Sequence, residues 1–375
     1  MIRPIFRTLV VVASVAFLSV FTVAALDTVR GGAPADRVEI SILQEAGRIA
    51  HPRTTIVAPA QPAPVSLLPG FPALVASLIG VDPPRLELVR ALALTATLFT
   101  ALLLLLVVQL ETRSWTLALA ATGFALAGQG LFATAPGIAR PEALLLLLVL
   151  LAFAALRFFV GFVGSLLAGV LLAAAFFVER SALGFIAIAL VAQAFESRSR
   201  CLALAATTGT LIAAGVLALP LLLGLHLDAG AWTPALAGLR FEPLEALRFV
   251  ASHLFGRLGL FTLVVVLSFA LSTQLWQGNR GVWIWLGAAA VAAGIVASQG
   301  KGPDPGALLP SIVVLALLGT LSLQRVVHHL SDSDEYEGPG GEGVILAGLA
   351  IQGLVFLAAA AEAPWVTTLA IALRS

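Results

Sequence analysis

The chain alternates between long apolar runs and short polar turns, with one exception near its start. Thr8 to Leu26 is apolar, and a polar stretch then runs from about Asp27 to Arg90. Further apolar runs occupy about 87–110, 115–135, 141–157, 160–178, 181–195, 201–225, 256–276, 281–299, 306–323 and 343–361. Most approach the ~20 residues that a helix needs to cross a hydrocarbon layer of about 30 Å. With the first run they predict an all-α polytopic membrane protein of about eleven transmembrane helices.

The exceptional stretch organises the rest. It carries Asp36, Glu39, Glu45, Arg48 and Arg53, then the proline-rich run Pro59-Ala-Gln-Pro-Ala-Pro64, then Leu68-Pro-Gly-Phe-Pro72. Where almost everything else is hydrocarbon-compatible, one long polar loop is the expected place for chemistry. The predicted organisation is a first transmembrane helix at 1–26 and a loop with juxtamembrane helices at 27–86. A transmembrane core follows at 87–325, an acidic linker at 326–342, and a last helix with its tail at 343–375.

Composition supports the membrane reading. Hydrophobic residues make up 60% of the chain and charged residues 11%, with a mean hydropathy of +1.04. A soluble domain carries about 25% charged residues, so this chain lacks the polar surface that water requires. The net charge of +1 offers no basis for nucleic-acid binding. A single cysteine, Cys201, excludes an internal disulfide and any cysteine-rich metal site. No His, Asp or Glu spacing suggests a metal centre, and none is expected.

Topology follows from the cations. Val23-Ala-Ala25 has the small residues of a signal-peptide end, but an uncleaved first helix is the preferred reading. Arg3 and Arg7 then hold the N-terminus in the cytoplasm, and the long loop faces outward. Alternation puts Arg113, Arg157, Arg198, Arg200, Arg280 and Arg325 on the cytoplasmic side. It puts three unusual clusters on the outer side beside the long loop: Ala139-Arg-Pro-Glu142, Phe177-Val-Glu-Arg-Ser181 and Gly300-Lys-Gly-Pro-Asp-Pro-Gly306. Ionisable groups at membrane depth are costly and are usually paired or functional. The plainer alternative is a snorkelling or capping charge at each helix end. Asp36 followed by Glu39 also reads as an N-cap with its capping-box partner.

These residues carry a resemblance. Ile40-Ser-Ile-Leu-Gln-Glu-Ala-Gly-Arg-Ile-Ala50, the proline-rich segment, Leu68-Pro-Gly-Phe-Pro-Ala-Leu74 and Arg90 resemble the first outer loop of the GT-C-type polytopic glycosyltransferases. These are the bacterial relatives of protein O-mannosyltransferases and of the lipid A aminoarabinose transferase. Gly137-Ile-Ala-Arg-Pro-Glu-Ala-Leu144 is similar to their R-x-D-x-L helix start, with Glu142 for Asp. Ala173-Ala-Ala-Phe-Phe-Val-Glu-Arg-Ser-Ala-Leu183 is similar to their F-x-x-K-Q-x-A-L turn, with Glu179 and Arg180 for Lys and Gln. The segment from Gly300 to Pro310 resembles a late G-K-x-G-x-x-N-Y-L-L-x-P turn without its Asn-Tyr pair.

The resemblance implies a GT-C-like bundle with a long first outer loop, in the bacterial inner membrane. It implies transfer of a sugar from a polyprenyl-phosphate donor to a glycan, lipid or protein acceptor in the cell envelope. No cofactor or metal is implied. An acidic residue of the first outer loop, Glu39 or Asp36, would act as the base, because a glycosyl acceptor must lose a proton as the anomeric carbon is attacked. Arg140, Arg180 and Lys301 would neutralise the departing phosphate, which guanidinium groups contact in a bidentate fashion. Glu142, Glu179, Arg90 and Asp304 would support them. The second reading is a non-catalytic, transport or assembly protein of an envelope glycan system with the same helical layout. A transporter is expected to show internal repeats, and none is evident.

Other features are read plainly. Asp332-Ser-Asp334 lies in an acidic, glycine-rich segment and reads as a solvated linker. His328 and His329 are adjacent, about 100° apart on a helix, and make a poor ligand pair. Trp283 and Trp285 are expected in an interfacial aromatic belt. The 226–255 loop has amphipathic character and is expected to lie on the membrane surface.

Overall fold

The structure is a computed structural model. It describes residues 2–32, 35–50, 68–79, 85–132, 137–159, 161–223, 281–298 and 308–332, with isolated residues between 244 and 262. Among these there are helices and no strands. In chain order they are α1 (Ile2–Asp27), α2 (Arg37–Ala50), α3 (Gly70–Ile79), α4 (Leu86–Thr112), α5 (Trp115–Phe132), α6 (Pro141–Phe158), α7 (Phe162–Val178), α8 (Ala182–Glu196), α9 (Arg198–Leu223), α10 (Val282–Ser298) and α11 (Leu309–Asp332). A short π-helical turn, Thr28–Gly32, follows α1.

α1 and α4–α11 each fall on an expected apolar run. Helices α1, α4, α6 and α9 contain stretches long and apolar enough to cross a membrane. Shorter apolar helices add Phe162–Val178, Ala182–Glu196, Val282–Val296 and Leu309–Ser322. α11 continues to Asp332, so the start of the expected 326–342 linker is helical. The expected spans at 256–276 and 343–361 lie almost wholly outside the described residues, as does most of the 226–255 loop.

Lipid exposure is written on the outer faces. On α4, Leu98, Leu102, Leu106 and Leu110 are exposed at four-residue spacing, while Ala93, Leu104, Val107 and Val108 are buried. Residues four apart share a helix face, so α4 turns one apolar stripe inward and another outward. An exposed apolar stripe of that length suits hydrocarbon, not water. Several hydroxyl groups in these helices are satisfied internally. Those of Ser14, Thr97, Thr100, Thr122 and Thr320 each donate to the carbonyl four residues earlier. That removes the cost of an unpaired hydroxyl in lipid.

Packing joins consecutive helices and helices further apart in the chain: α1 and α4 on α5, α4 on α6, α6 on α7, and α7 on α9. The later helices close the bundle, α10 on α8 and α11 on α5 and α10. The amphipathic α2 and the short α3 pack on each other at one end, with α2 against α4 and α3 against α7. Two glycines permit this. A Cβ on Gly70 would lie 2.5 Å from the Phe177 carbonyl oxygen, so only glycine lets α3 sit on the end of α7. Gly137 has φ +85°, and a Cβ there would lie 2.8 Å from the Ala25 carbonyl oxygen. The chain entering α6 therefore touches the end of α1.

Candidate active site

Four segments meet where α2 and α3 cover the bundle: the π-turn after α1, the start of α2, the second turn of α4 and the chain entering α6. Their junction is the Glu39–Arg90 pair, and both side chains are fully buried. Arg90 donates from Nε to Glu39 Oε1 and from Nη2 to Oε2, each at 2.9 Å. Its Nη1 donates to the Thr28 carbonyl at 2.7 Å. Glu39 Oε1 also accepts from the Ala139 N–H at 2.7 Å, and Oε2 from the Asp36 N–H at 3.0 Å. Burial of two charges is tolerated only when geometry and hydrogen bonding are this complete.

Beside this pair lies a second, more open one. Asp36 Oδ2 stands 3.4 Å from Arg140 Nη2. The Asp36 side chain is 31% exposed and that of Arg140 is 8% exposed. Local sequence aims both. Asp36 precedes α2 and its carbonyl accepts the first helical N–H, from Ile40, at 3.0 Å. Its Oδ1 accepts from the Arg37 N–H at 2.6 Å. Pro141 opens α6, and a residue before proline is forced into extended backbone. Arg140 accordingly has φ −129° and ψ 136°, which turns its guanidinium back toward α2 instead of along α6.

Arg140 also lines a pocket of about 40 Å³. Thr97, Thr100, Gln129 and Glu142 supply its other polar groups, with Phe21 and Leu309 among the apolar ones. That volume holds a few water molecules and no more.

The structure thus brings Asp36, Glu39, Arg90 and Arg140 together and sets Glu142 beside them. It changes the reading of Glu39. Its two carboxylate oxygens accept from four donors and it is closed to solvent, whereas Asp36 is partly open. Glu39 reaching back to the Asp36 N–H is the capping-box half of the alternative raised above. Glu179 is also engaged locally: its Oε2 accepts from the Ser181 N–H at 2.7 Å and from the Ser181 hydroxyl. It ties down the turn into α8. Arg180 is half-buried in that turn, at the same end of the bundle. Lys301 and Asp304 lie outside the described residues. Among the described residues no group of three His, Cys, Asp or Glu could hold a metal ion.

A cluster missed by sequence reasoning occupies the opposite end. Arg157 donates to Glu111 from Nε at 2.5 Å and from Nη2 at 3.2 Å. Trp283 Nε1 donates to Glu111 Oε1 at 2.9 Å, and Gln324 Nε2 to the Thr112 carbonyl at 2.8 Å. Trp283 is therefore not in an interfacial belt: it is fully buried, packed against Phe158 and hydrogen-bonded. Trp285 is half-buried and stacks on Phe195. Polar residues ending spans on one predicted side were the signal for this cluster.

No family model matches the chain, and no curated protein matches it. Among solved structures it is similar to ArnT from Cupriavidus metallidurans in the apo state. The two share 13% identity at a TM-score of 0.46, over 93% of this chain and 76% of that one. At that distance neither fold nor activity transfers from one chain to the other.

Proposed function

We propose that this membrane protein is a GT-C-type glycosyltransferase that takes a sugar from a polyprenyl-phosphate donor on the outer face of the bacterial inner membrane. The acceptor is a cell-envelope glycan, lipid or protein. The observation that carries the reading is the Asp36–Arg140 pair: a partly exposed carboxylate beside a buried guanidinium at one end of an apolar bundle. Asp36 is the base that takes the acceptor's proton. Arg140 receives the lipid phosphate as it leaves, its fork matched to phosphate oxygens. The pocket beside Arg140 is too small for a sugar, so the donor binds at the bundle end and its lipid lies along the exposed helix faces. Arg180 and Lys301 are further phosphate contacts, and Glu142 and Asp304 support them.

The test is transfer in reconstituted membranes supplied with radiolabelled polyprenyl-phosphate sugars and total envelope acceptors. Asp36→Asn is expected to lower kcat by about 10²- to 10⁴-fold, the usual contribution of a general base. Arg140→Lys is expected to restore little of what Arg140→Ala loses, since an ammonium lacks the planar fork. Wild-type transfer by Asp36→Asn would remove Asp36 from the chemistry. No transfer by folded wild-type protein with any donor would favour a non-catalytic role in the same envelope system.

A further inference from the structure

We infer that Glu39 and Arg90 are positioning residues: their buried pair sets the approach of Asp36 to Arg140. This inference rests on the proposed chemistry for its consequence and on the geometry alone for its mechanism. Apart from Arg90, Glu39 accepts from two backbone N–H groups. One belongs to Asp36 itself, the other to Ala139, the residue immediately before Arg140. A single carboxylate thus grips the backbone of one partner and the backbone adjoining the other.

The two gripped segments lie 100 residues apart in sequence, as the Ala139–Glu39 separation shows. Both are irregular backbone: Ala139 and Arg140 precede α6, and Asp36 precedes α2. Helical hydrogen bonding reaches them through their carbonyls: that of Asp36 accepts from the Ile40 N–H at 3.0 Å and that of Arg140 from the Ala143 N–H at 3.2 Å. Pro141 removes a donor at the α6 start, and Gly137 holds a positive φ. Glu39 adds a constraint through the Asp36 and Ala139 N–H groups, and Arg90 fixes Glu39. Arg90 is rooted in α4 and anchored on its far side by the Thr28 carbonyl, so the frame is α4 and the end of α1. The Asp36–Arg140 separation of 3.4 Å is then a property of this frame. A misplacement of about 1 Å can cost about a hundredfold in rate, so loosening the frame is expected to appear in turnover.

The test combines hydrogen–deuterium exchange with transfer kinetics on the full-length protein in membranes. In the wild type, peptides covering 35–41 and 137–143 should both be protected at Asp36 and Ala139. Glu39→Gln keeps the shape but replaces one acceptor oxygen by a donor, and should raise exchange in both peptides together. Transfer should fall about a hundredfold with the donor KM changed far less. Glu39→Asp should restore part of both. Arg90→Lys keeps the charge, loses the fork, and should loosen the same two peptides.

Asp36→Asn is the control, since it leaves the Asp36 N–H and Glu39 intact. It should lower transfer by the 10²- to 10⁴-fold expected of a lost general base while both peptides stay protected. Unchanged protection in Glu39→Gln and Arg90→Lys would overturn the positioning role, and so would loosening in Asp36→Asn equal to theirs. Loosened peptides with wild-type turnover would also overturn it. The exchange result stands even if no donor supports transfer, so failure of the transferase reading is distinguishable from failure of the frame.

Discussion

The two ends of the bundle carry the same motif in different settings. At one end Arg90 grips Glu39 with two nitrogens, and at the other Arg157 grips Glu111 with two nitrogens. α4 contributes to both pairs, and α6 or the chain leading into it reaches both. Arg90 and Glu111 are 21 residues apart, or about 32 Å at a rise of 1.5 Å per residue, close to the thickness of a hydrocarbon layer. Glu39 and Arg90 are wholly buried, and they also bond the backbone of Asp36, Ala139 and Thr28. The Arg157 side chain stays 18% exposed, and a further partner of Glu111 is the side chain of a helical tryptophan. A buried ion pair is weak evidence of stability, since well-packed apolar residues often do as well. What the first pair offers is placement of the backbone at two helix starts, through the Asp36 and Ala139 N–H groups. The second joins helices that are already formed.

The sharpest way to break this contrast is to remove one partner at each end. Arg90→Ala leaves the Glu39 carboxylate buried without its cation. Breaking such a pair costs about 3–5 kcal/mol, so thermal unfolding in detergent should show a large loss. A loss below about 1 kcal/mol would mean that water reaches Glu39, and the frame would lose its sealed character.

Glu111→Gln is the matching change at the opposite end. It keeps one oxygen for Trp283 or Arg157 and removes the charge. The expected loss is about 1–3 kcal/mol, smaller than for Arg90→Ala because the Arg157 guanidinium retains some water. Transfer per folded molecule should stay at the wild-type level, since Glu111 lies a membrane thickness from Asp36. A fall in turnover with intact folding would show that the two ends are coupled through α4 or α6, and the contrast would fail.

Much of the contrast was legible in the sequence, and the part that was not has a physical reason. Apolar length marked α4 to α10 within a few residues, because a hydrocarbon solvent punishes any other arrangement, while α11 runs nine residues past its expected end at 323. Polar residues at span ends announced that Asp36, Glu39, Arg90 and Arg140 share a side. The division of labour among the carboxylates was not legible. Asp36 and Glu39 are three residues apart in a helix start, and either type serves as a base. What separates them is a set of backbone donors, Asp36 N–H and Ala139 N–H, which every sequence possesses and none advertises. Glu179 was obscured in the same way, since its partner is the N–H of Ser181. Trp283 was misplaced because an aromatic near a span end suits either a lipid interface or a buried polar cluster. The deciding partner, Glu111, lies 172 residues away.

Trp283→Phe makes the finest distinction. The substitution keeps most of the aromatic volume against Phe158 and removes only the indole N–H. If Trp283 serves the Glu111 cluster, the loss should be about 0.5–1.5 kcal/mol, the net worth of one hydrogen bond, measured by thermal unfolding. In the Glu111→Gln background the same change should cost less, because the acceptor is then neutral and binds the indole more weakly. A double-mutant cycle isolates that coupling. Coupling near zero would return Trp283 to a packing role alone. The Glu111 end would then rest on its arginine without help from the indole, and the two ends would differ chiefly in what surrounds their ion pairs.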